Sequence, residues 1–144
     1  MTMNPSVWVF DTIKKYEGLR VKPYRCPAGV WTVGYGYTRR VDPTKVITTD
    51  RAEELLEEDV LSASGVVRAL VKTDLNQEQF DALIDFVFNL GEGNFAASTL
   101  LRYVNNGDFS KAADEFLKWN HCNGEILAGL TKRREAERQR FMEE

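Results

Sequence analysis

The sequence predicts an α+β protein: a small N-terminal lobe bearing a β-hairpin, a long connecting helix, and a helical C-terminal lobe. Three observations carry this prediction. Apolar residues recur at helical spacing before residue 18 and again after residue 48. Between those stretches, RVKPYR (20–25) and VWTVGYGYT (30–38) are rich in β-branched and aromatic residues and are separated by the turn signal Pro27-Ala28-Gly29. The helical pattern from Thr49 to about Val71 would span about 35 Å, long for a small domain and suited to joining two lobes.

Each element has a local reason. Residues 5–17 (PSVWVFDTIKKYE) read as a short helix with Pro5 near its first turn and Gly18 at its stop. Thr49 is the expected N-cap of the connecting helix, with Asp50 and Glu53 favouring its first turn. Gly65 weakens that helix by about 1 kcal/mol relative to Ala, so a bend is allowed there. Asn76-x-x-Gln79 is a capping-box start, after which Phe80, Leu83, Ile84, Val87 and Phe88 form one apolar face. The run Asn89-Leu90-Gly91-Glu92-Gly93 ends that helix. Further helices are expected over about 96–105, after Asp108, and over about 130–142, the last one rich in arginine. The chain reads as one domain over 1–144, with a first lobe of about 1–60, a connecting helix of about 49–72, and a helical lobe of about 73–144.

Composition narrows the function classes. The chain has 144 residues, 43% apolar and 28% charged, which is the balance of an ordinary globular protein and not of a disordered one. No apolar run approaches the roughly 20 residues that cross a bilayer, and the first ten residues lack a secretory pattern, so no stable membrane association is expected. Cys26 and Cys122 are too few for a disulfide framework, and His121 is the single histidine, so no metal site is expected. His121 and Cys122 read as part of a loop between helices. The formal charge of −3 argues against a nucleic-acid partner. That charge is uneven: residues 1–48 carry eight Lys/Arg and three Asp/Glu, whereas residues 49–128 carry six and fifteen. Either the basic first lobe meets a polyanion, or the charges cluster by chance on solvated faces.

Candidate residues for chemistry lie between the first helix and the hairpin. Taken alone their spacing is a weak signal, and a glutamate at a helix end is most often a solvated residue. Glu17 ends the helix just before a glycine, where its side chain can project toward the hairpin. Cys26 falls at the hairpin turn and Thr32 on the returning strand. A carboxyl in a partly apolar cleft, with Tyr16, Trp31 and Tyr35 as candidate walls, can keep its proton and act as a general acid. A second polar group across the cleft could orient or activate water, and a hydroxyl could hold that water in line.

The strings Glu17-Gly18-Leu19-Arg20, Pro23-Tyr24 and GVWTVGYGYT (29–38) resemble the N-terminal lobe of the bacteriophage lysozymes, the T4-lysozyme-like endolysins. The likeness continues through Thr49–Leu56, NQEQFDAL (76–83) and FVFNLG (86–91). It ends with AADEF (112–116), Trp119-Asn120 and the pattern Gly129-Leu130-x-x-Arg133-Arg134-x-x-Glu137. The family's triad spacing, E-x8-D/C-x5-T, falls on Glu17, Cys26 and Thr32. The resemblance implies a lysozyme-like fold and hydrolysis of the β-1,4 bond between N-acetylmuramic acid and N-acetylglucosamine in peptidoglycan. Glu17 would then be the proton donor, and Cys26 and Thr32 would position or activate water, with no cofactor and as a monomer. It also implies accumulation in the host cytoplasm and dependence on a holin to reach the cell wall. Two positions depart from the common pattern: Cys26 is the minority choice at the second catalytic place, and Tyr37 replaces a histidine that looks structural.

Other residues have two readings each. Asn89 could bind an N-acetyl group or simply make a helix-ending turn. Tyr35 is a candidate sugar contact. Arg133 or Arg134 could reach Glu17 or the substrate, or could lie on an exposed basic face. Two rival functions use the same features: a lytic transglycosylase, which needs neither Cys26 nor Thr32, and a wall-binding module without catalysis. If the basic segment steers the protein to a polyanionic wall, lysis rates fall as salt rises past about 0.15 M, where the screening length is near 8 Å. Replacing Lys14, Lys15, Lys22 and Arg39 with Gln should flatten that dependence; turbidity assays across a salt series check it.

Overall fold

In a computed structural model, which describes residues 3–143, the chain forms seven helices and two antiparallel β-hairpins. Met1, Thr2 and Glu144 lie outside the described residues. The elements in order are α1 (Val7–Glu17), β1 (Arg20–Arg25), β2 (Trp31–Gly34), α2 (Thr49–Leu70), α3 (Gln77–Leu90), α4 (Glu92–Ala96), α5 (Thr99–Asn105), α6 (Phe109–Phe116), β3 (His121–Cys122), β4 (Glu125–Ile126) and α7 (Ala128–Met142).

The helix ends follow local chemistry. Asn76 and Gln79 close the expected capping box on α3. The cap of α2 is Thr48 and not Thr49: the Thr48 hydroxyl accepts from the Arg51 backbone N–H at 3.0 Å, and Thr49 is the first helical residue. Gly65 does not interrupt α2. Gly18 ends α1 in a left-handed conformation, φ 72°, and donates its N–H to the Lys14 carbonyl at 3.0 Å.

One expected loop is a hairpin. His121 and Cys122 pair with Ile126 and Glu125 around Asn123 and Gly124, whose φ values are 52° and 81°. That is the Asn-Gly turn chemistry that suits a two-residue hairpin connection. Strands of two residues are too short to give a period, so the turn dipeptide was the only sequence signal for them.

The main core draws on α1 through α7. Val9 and Ile13 of α1 join Leu56, Val60 and Val67 of α2, Leu83, Ile84 and Phe86 of α3, and Phe116 and Phe141 beyond. Sequence order groups α1 with the hairpin lobe, yet its buried face packs on α3. The junction is tied at Asp81, fully buried, which accepts from the Ser6 N–H at 3.1 Å, from Gln77 at 2.8 Å and from Arg140 of α7 at 2.9 Å. A smaller cluster of Val33, Tyr37 and Leu55 seats the first hairpin against α2.

Within the first hairpin, Arg20 pairs with Gly34 and Tyr24 with Thr32, so β1 carries two more residues than β2 between those pairs. Such a bulge bends the strand. After β2, Val33 and Tyr37 exchange backbone hydrogen bonds at 3.0 and 2.9 Å across a tight turn.

Phe86 is the aromatic centre of the helical lobe, edge-on to Phe95, Phe116 and Trp119 at 6.0, 5.7 and 5.6 Å. Phe86→Ala should cost about 3–5 kcal/mol of stability, read as a lower urea midpoint with an unchanged slope.

Candidate active site

Glu17 is the last residue of α1, so its backbone is rooted in the main core while its side chain reaches beyond the helix end. Its carboxyl is about a quarter exposed and is gripped from one side: Arg133 donates from Nη1 to Oε2 at 2.8 Å. The other oxygen lies against Gly36. A Cβ built on Gly36 would stand 2.8 Å from Oε1, and the glycine's φ of 79° is itself a left-handed value. Gly36 therefore serves two needs, the turn and the close approach of the carboxyl to the backbone.

Gly36 also lines a hollow of about 310 Å³ between the hairpin lobe and the helices, with Asp59 and Ala63 of α2 and Val87, Phe88 and Gly91 at the end of α3. A larger hollow, about 410 Å³, is bordered by Arg39, Arg40, Lys45 and Arg51, and neither hollow is lined by Glu17, Cys26 or Thr32 themselves.

Cys26 sits in the turn of the first hairpin, where its N–H donates to Val30 and its carbonyl accepts from Gly29. Hydrogen bonds from the Val30 and Ala28 backbone, aided by the Thr32 hydroxyl, hold the thiol below its ordinary pKa. The thiolate is the form those donors favour. Thr32 is buried on β2, and its hydroxyl also reaches the Val30 carbonyl at 3.0 Å. The Cys26 N–H and the Thr32 hydroxyl thus both donate to the Val30 carbonyl, while Glu17 meets the same lobe through Gly36.

The three residues read as sugar contacts have different surroundings. Tyr35 is buried in the main core, with its hydroxyl 3.5 Å from Glu53 and Lys14 over its ring, so it offers little surface to a ligand. Arg133 is likewise buried, and its donors go to Glu17 and Asp85, so it stands behind the acid and not on the open cleft. Asn89 is half-buried at the end of α3; its Oδ1 accepts from Arg134 at 2.8 Å, and its Nδ2 carries no hydrogen bond to the described residues. Tyr16 packs its ring 5.5 Å from the Arg133 guanidinium.

Arg133 and Arg134 of α7 both face inward. Arg133 forks onto Asp85 with Nε to Oδ2 at 3.0 Å and Nη2 to Oδ1 at 2.9 Å. Arg134 donates from Nη2 to Glu137 at 2.9 Å, and its Nε lies 2.7 Å from the other Glu137 oxygen, out of line for a hydrogen bond. Burial raises the Asp85 carboxyl, but the hydrogen bond from Glu137 and the charge of Arg133 outweigh it and hold Asp85 below the usual range. Burial and the Asp85 charge push Glu137 well above its range despite Arg134. The stability signs are opposite. Asp85 contributes stability above its unfolded value, lost as pH falls through the folded one. Glu137 contributes below its unfolded value, and that share is lost as pH rises through the folded one.

Asp85 and Glu137 escaped sequence reasoning. One signal was available: Asp85 is a charge set inside the apolar run of α3, which calls for a buried partner. The basic first segment also meets the acidic α2 in space, with Lys14 2.8 Å from Glu53 and Arg39 2.9 Å from Asp59, so part of the charge asymmetry cancels locally.

Comparison with known proteins points one way. The family model described as phage lysozyme matches residues 14–137. An endolysin of Bacillus phage B103 is 47% identical over 143 residues, which cover 97% of this chain and 54% of that one. An endolysin of Acyrthosiphon pisum secondary endosymbiont phage 1 is 46% identical over 133 residues, covering 90% of this chain and 91% of that protein. The chain therefore spans about half the length of the Bacillus phage relative and nearly all of the endosymbiont phage relative. Among solved structures, the muramidase domain of SpmX from Asticaccaulis excentricus has a TM-score of 0.92 at 37% identity, covering 99% of this chain and 100% of that one.

Gly36→Ala should leave a folded protein that has lost about 10²-fold in rate, because the new methyl displaces the Glu17 carboxyl. Gly124→Ala, with a similar left-handed φ but open space around it, should carry only the backbone cost of about 1–2 kcal/mol. Melting curves beside lysis rates for the two variants separate strain from displacement.

Proposed function

The chain belongs to the phage lysozyme family, and from the setting of Glu17 we propose that it hydrolyses the β-1,4 bond between N-acetylmuramic acid and N-acetylglucosamine in peptidoglycan. The observation that carries this reading is the Glu17 carboxyl itself: fixed by Arg133 at 2.8 Å, backed by Gly36, and set beside the hollow between hairpin and helices. In this reading Glu17 gives its proton to the leaving glycosidic oxygen as the bond breaks. A positioned acid removes the need to expel an alkoxide, a contribution of about 10²–10⁴ in rate.

Cys26 and Thr32 serve the other half of the reaction. Water attacks the opposite face of the sugar, with the Cys26 sulfur accepting a hydrogen bond from it and the Thr32 hydroxyl helping to hold it in line. The donors around Cys26 keep electron density on the sulfur, which supports an accepting role. Activating water in this way inverts the anomeric centre, whereas direct attack by sulfur would retain it. The free Nδ2 of Asn89 suits the carbonyl of an N-acetyl group. We also hold to a cofactor-free monomer that meets the wall from the cytoplasmic side once a holin has opened the membrane. Among the described residues no helix is long and apolar enough to cross a membrane.

Glu17→Gln should fold normally and lose about 10²–10⁴ in lysis of chloroform-treated Gram-negative cells. Cys26→Asp should remain active and Cys26→Ala should be badly impaired. Mass spectrometry of the fragments should find reducing muramic acid ends; 1,6-anhydro ends would make the protein a transglycosylase. Wild-type lysis by a folded Glu17→Gln variant would leave a wall-binding module.

A further inference from the structure

Behind Glu17 lies a buried group of charges that the proton transfer does not use. Asp85 comes from α3, and Arg133, Arg134 and Glu137 come from α7; all four are almost completely buried. With Glu17, which is partly exposed, they make two guanidinium groups and three carboxyls, so ionising all three would leave one net negative charge. Such charge is normally avoided by keeping one group neutral. Burial and the neighbouring Asp85 charge push the Glu137 carboxyl well above its usual range, which favours its neutral form.

Two carboxyl groups are then left facing Arg133, and they do not share it equally. Asp85 takes two of the three side-chain hydrogen bonds, from Nε and Nη2, while Glu17 takes one, from Nη1. We propose that Asp85 is a positioning residue for Glu17: by taking most of the Arg133 fork, it lets the guanidinium orient the acid without becoming its dedicated counter-ion. The proposal rests on the reading of Glu17 as the general acid.

The physical need is specific. A cation 2.8 Å from a carboxyl favours the ionised form, which cannot donate a proton. A second carboxylate on the same cation offsets that field and leaves the hydrogen bond in place. The charged and titratable groups facing this cluster are Tyr16 and Glu17 from α1, Asp85 from α3, and Arg133, Arg134, Glu135 and Glu137 from α7. Tyr16 is pushed up by burial and then by Asp85, so it stays neutral across the working range. Asp85 is thus the group whose removal changes the balance on Arg133 most directly.

The experiment measures lysis of chloroform-treated cells from pH 4 to 9 with the wild type, Asp85→Asn and Glu17→Gln, each checked for folding by circular dichroism. In Asp85→Asn the alkaline limb of the profile should move to lower pH by about one unit. A folded Asp85→Asn variant with its limb at the wild-type position overturns the proposal. Lysis by Glu17→Gln overturns the general-acid reading instead, so the two failures are distinct. Should Asp85→Asn not fold, carbon-13 NMR of the wild-type carboxyl groups decides at pH 7. Asp85 should be ionised and Glu137 protonated; the reverse assignment, or both ionised, overturns the proposal.

Discussion

The guanidinium of Arg133 is the point on which the candidate active site depends. It is buried on α7, bound through two nitrogens to Asp85 of α3 and through the third to Glu17 at the end of α1. Three helices that meet only in the folded state are thereby fixed relative to one carboxyl. A buried cation of this kind is not a source of stability in itself; its attraction to its partners roughly offsets its loss of water. Its value lies in what it forbids. Moving α1 or α3 away would strand a charge in the interior, which costs about 3–5 kcal/mol, so the orientation of Glu17 is enforced by the penalty for losing it.

The two halves of the site are held by different means. Glu17 is oriented over long range, by a helix rooted in the main core and an arginine far along the chain. Cys26 and Thr32 are held locally, by the backbone of one hairpin turn and by the strand that returns from it. Gly36 is where the two supports meet, and its missing side chain is the room the carboxyl occupies. The bulge in β1 belongs to the same arrangement, because it bends the strand between the acid and the thiol.

Much of this was readable from the residues wherever the physics is local. Asn76 and Gln79 announce the start of α3 because both partners of the capping box lie within one turn. The Pro27-Ala28-Gly29 turn is legible for the same reason, as is the long helix after residue 48. Glu17, Cys26 and Thr32 became candidates through their spacing and the family likeness. What escaped depends on contacts between distant segments. Tyr35 reads as a cleft aromatic beside Gly36, yet α1 and α2 enclose it. Arg133 and Arg134 are adjacent in an arginine-rich stretch of low apolar content, and nothing local says that both turn inward. Glu137 reads as an ordinary helical glutamate until Asp85 is brought beside it from another helix.

The separation between Glu17 and Arg133, 116 residues, has a consequence for the order in which the protein becomes competent. Contacts between distant segments form late, since the chain must first close the intervening loop. A growing chain that has reached Trp119 already contains the hairpin, the thiol turn and most of the helical core residues. It lacks the arginine that orients Glu17 and the glutamate that steadies Asp85. On the proposed reading, the orientation of Glu17 is therefore completed only once the segment carrying Arg133 and Glu137 has been made and has docked on α3.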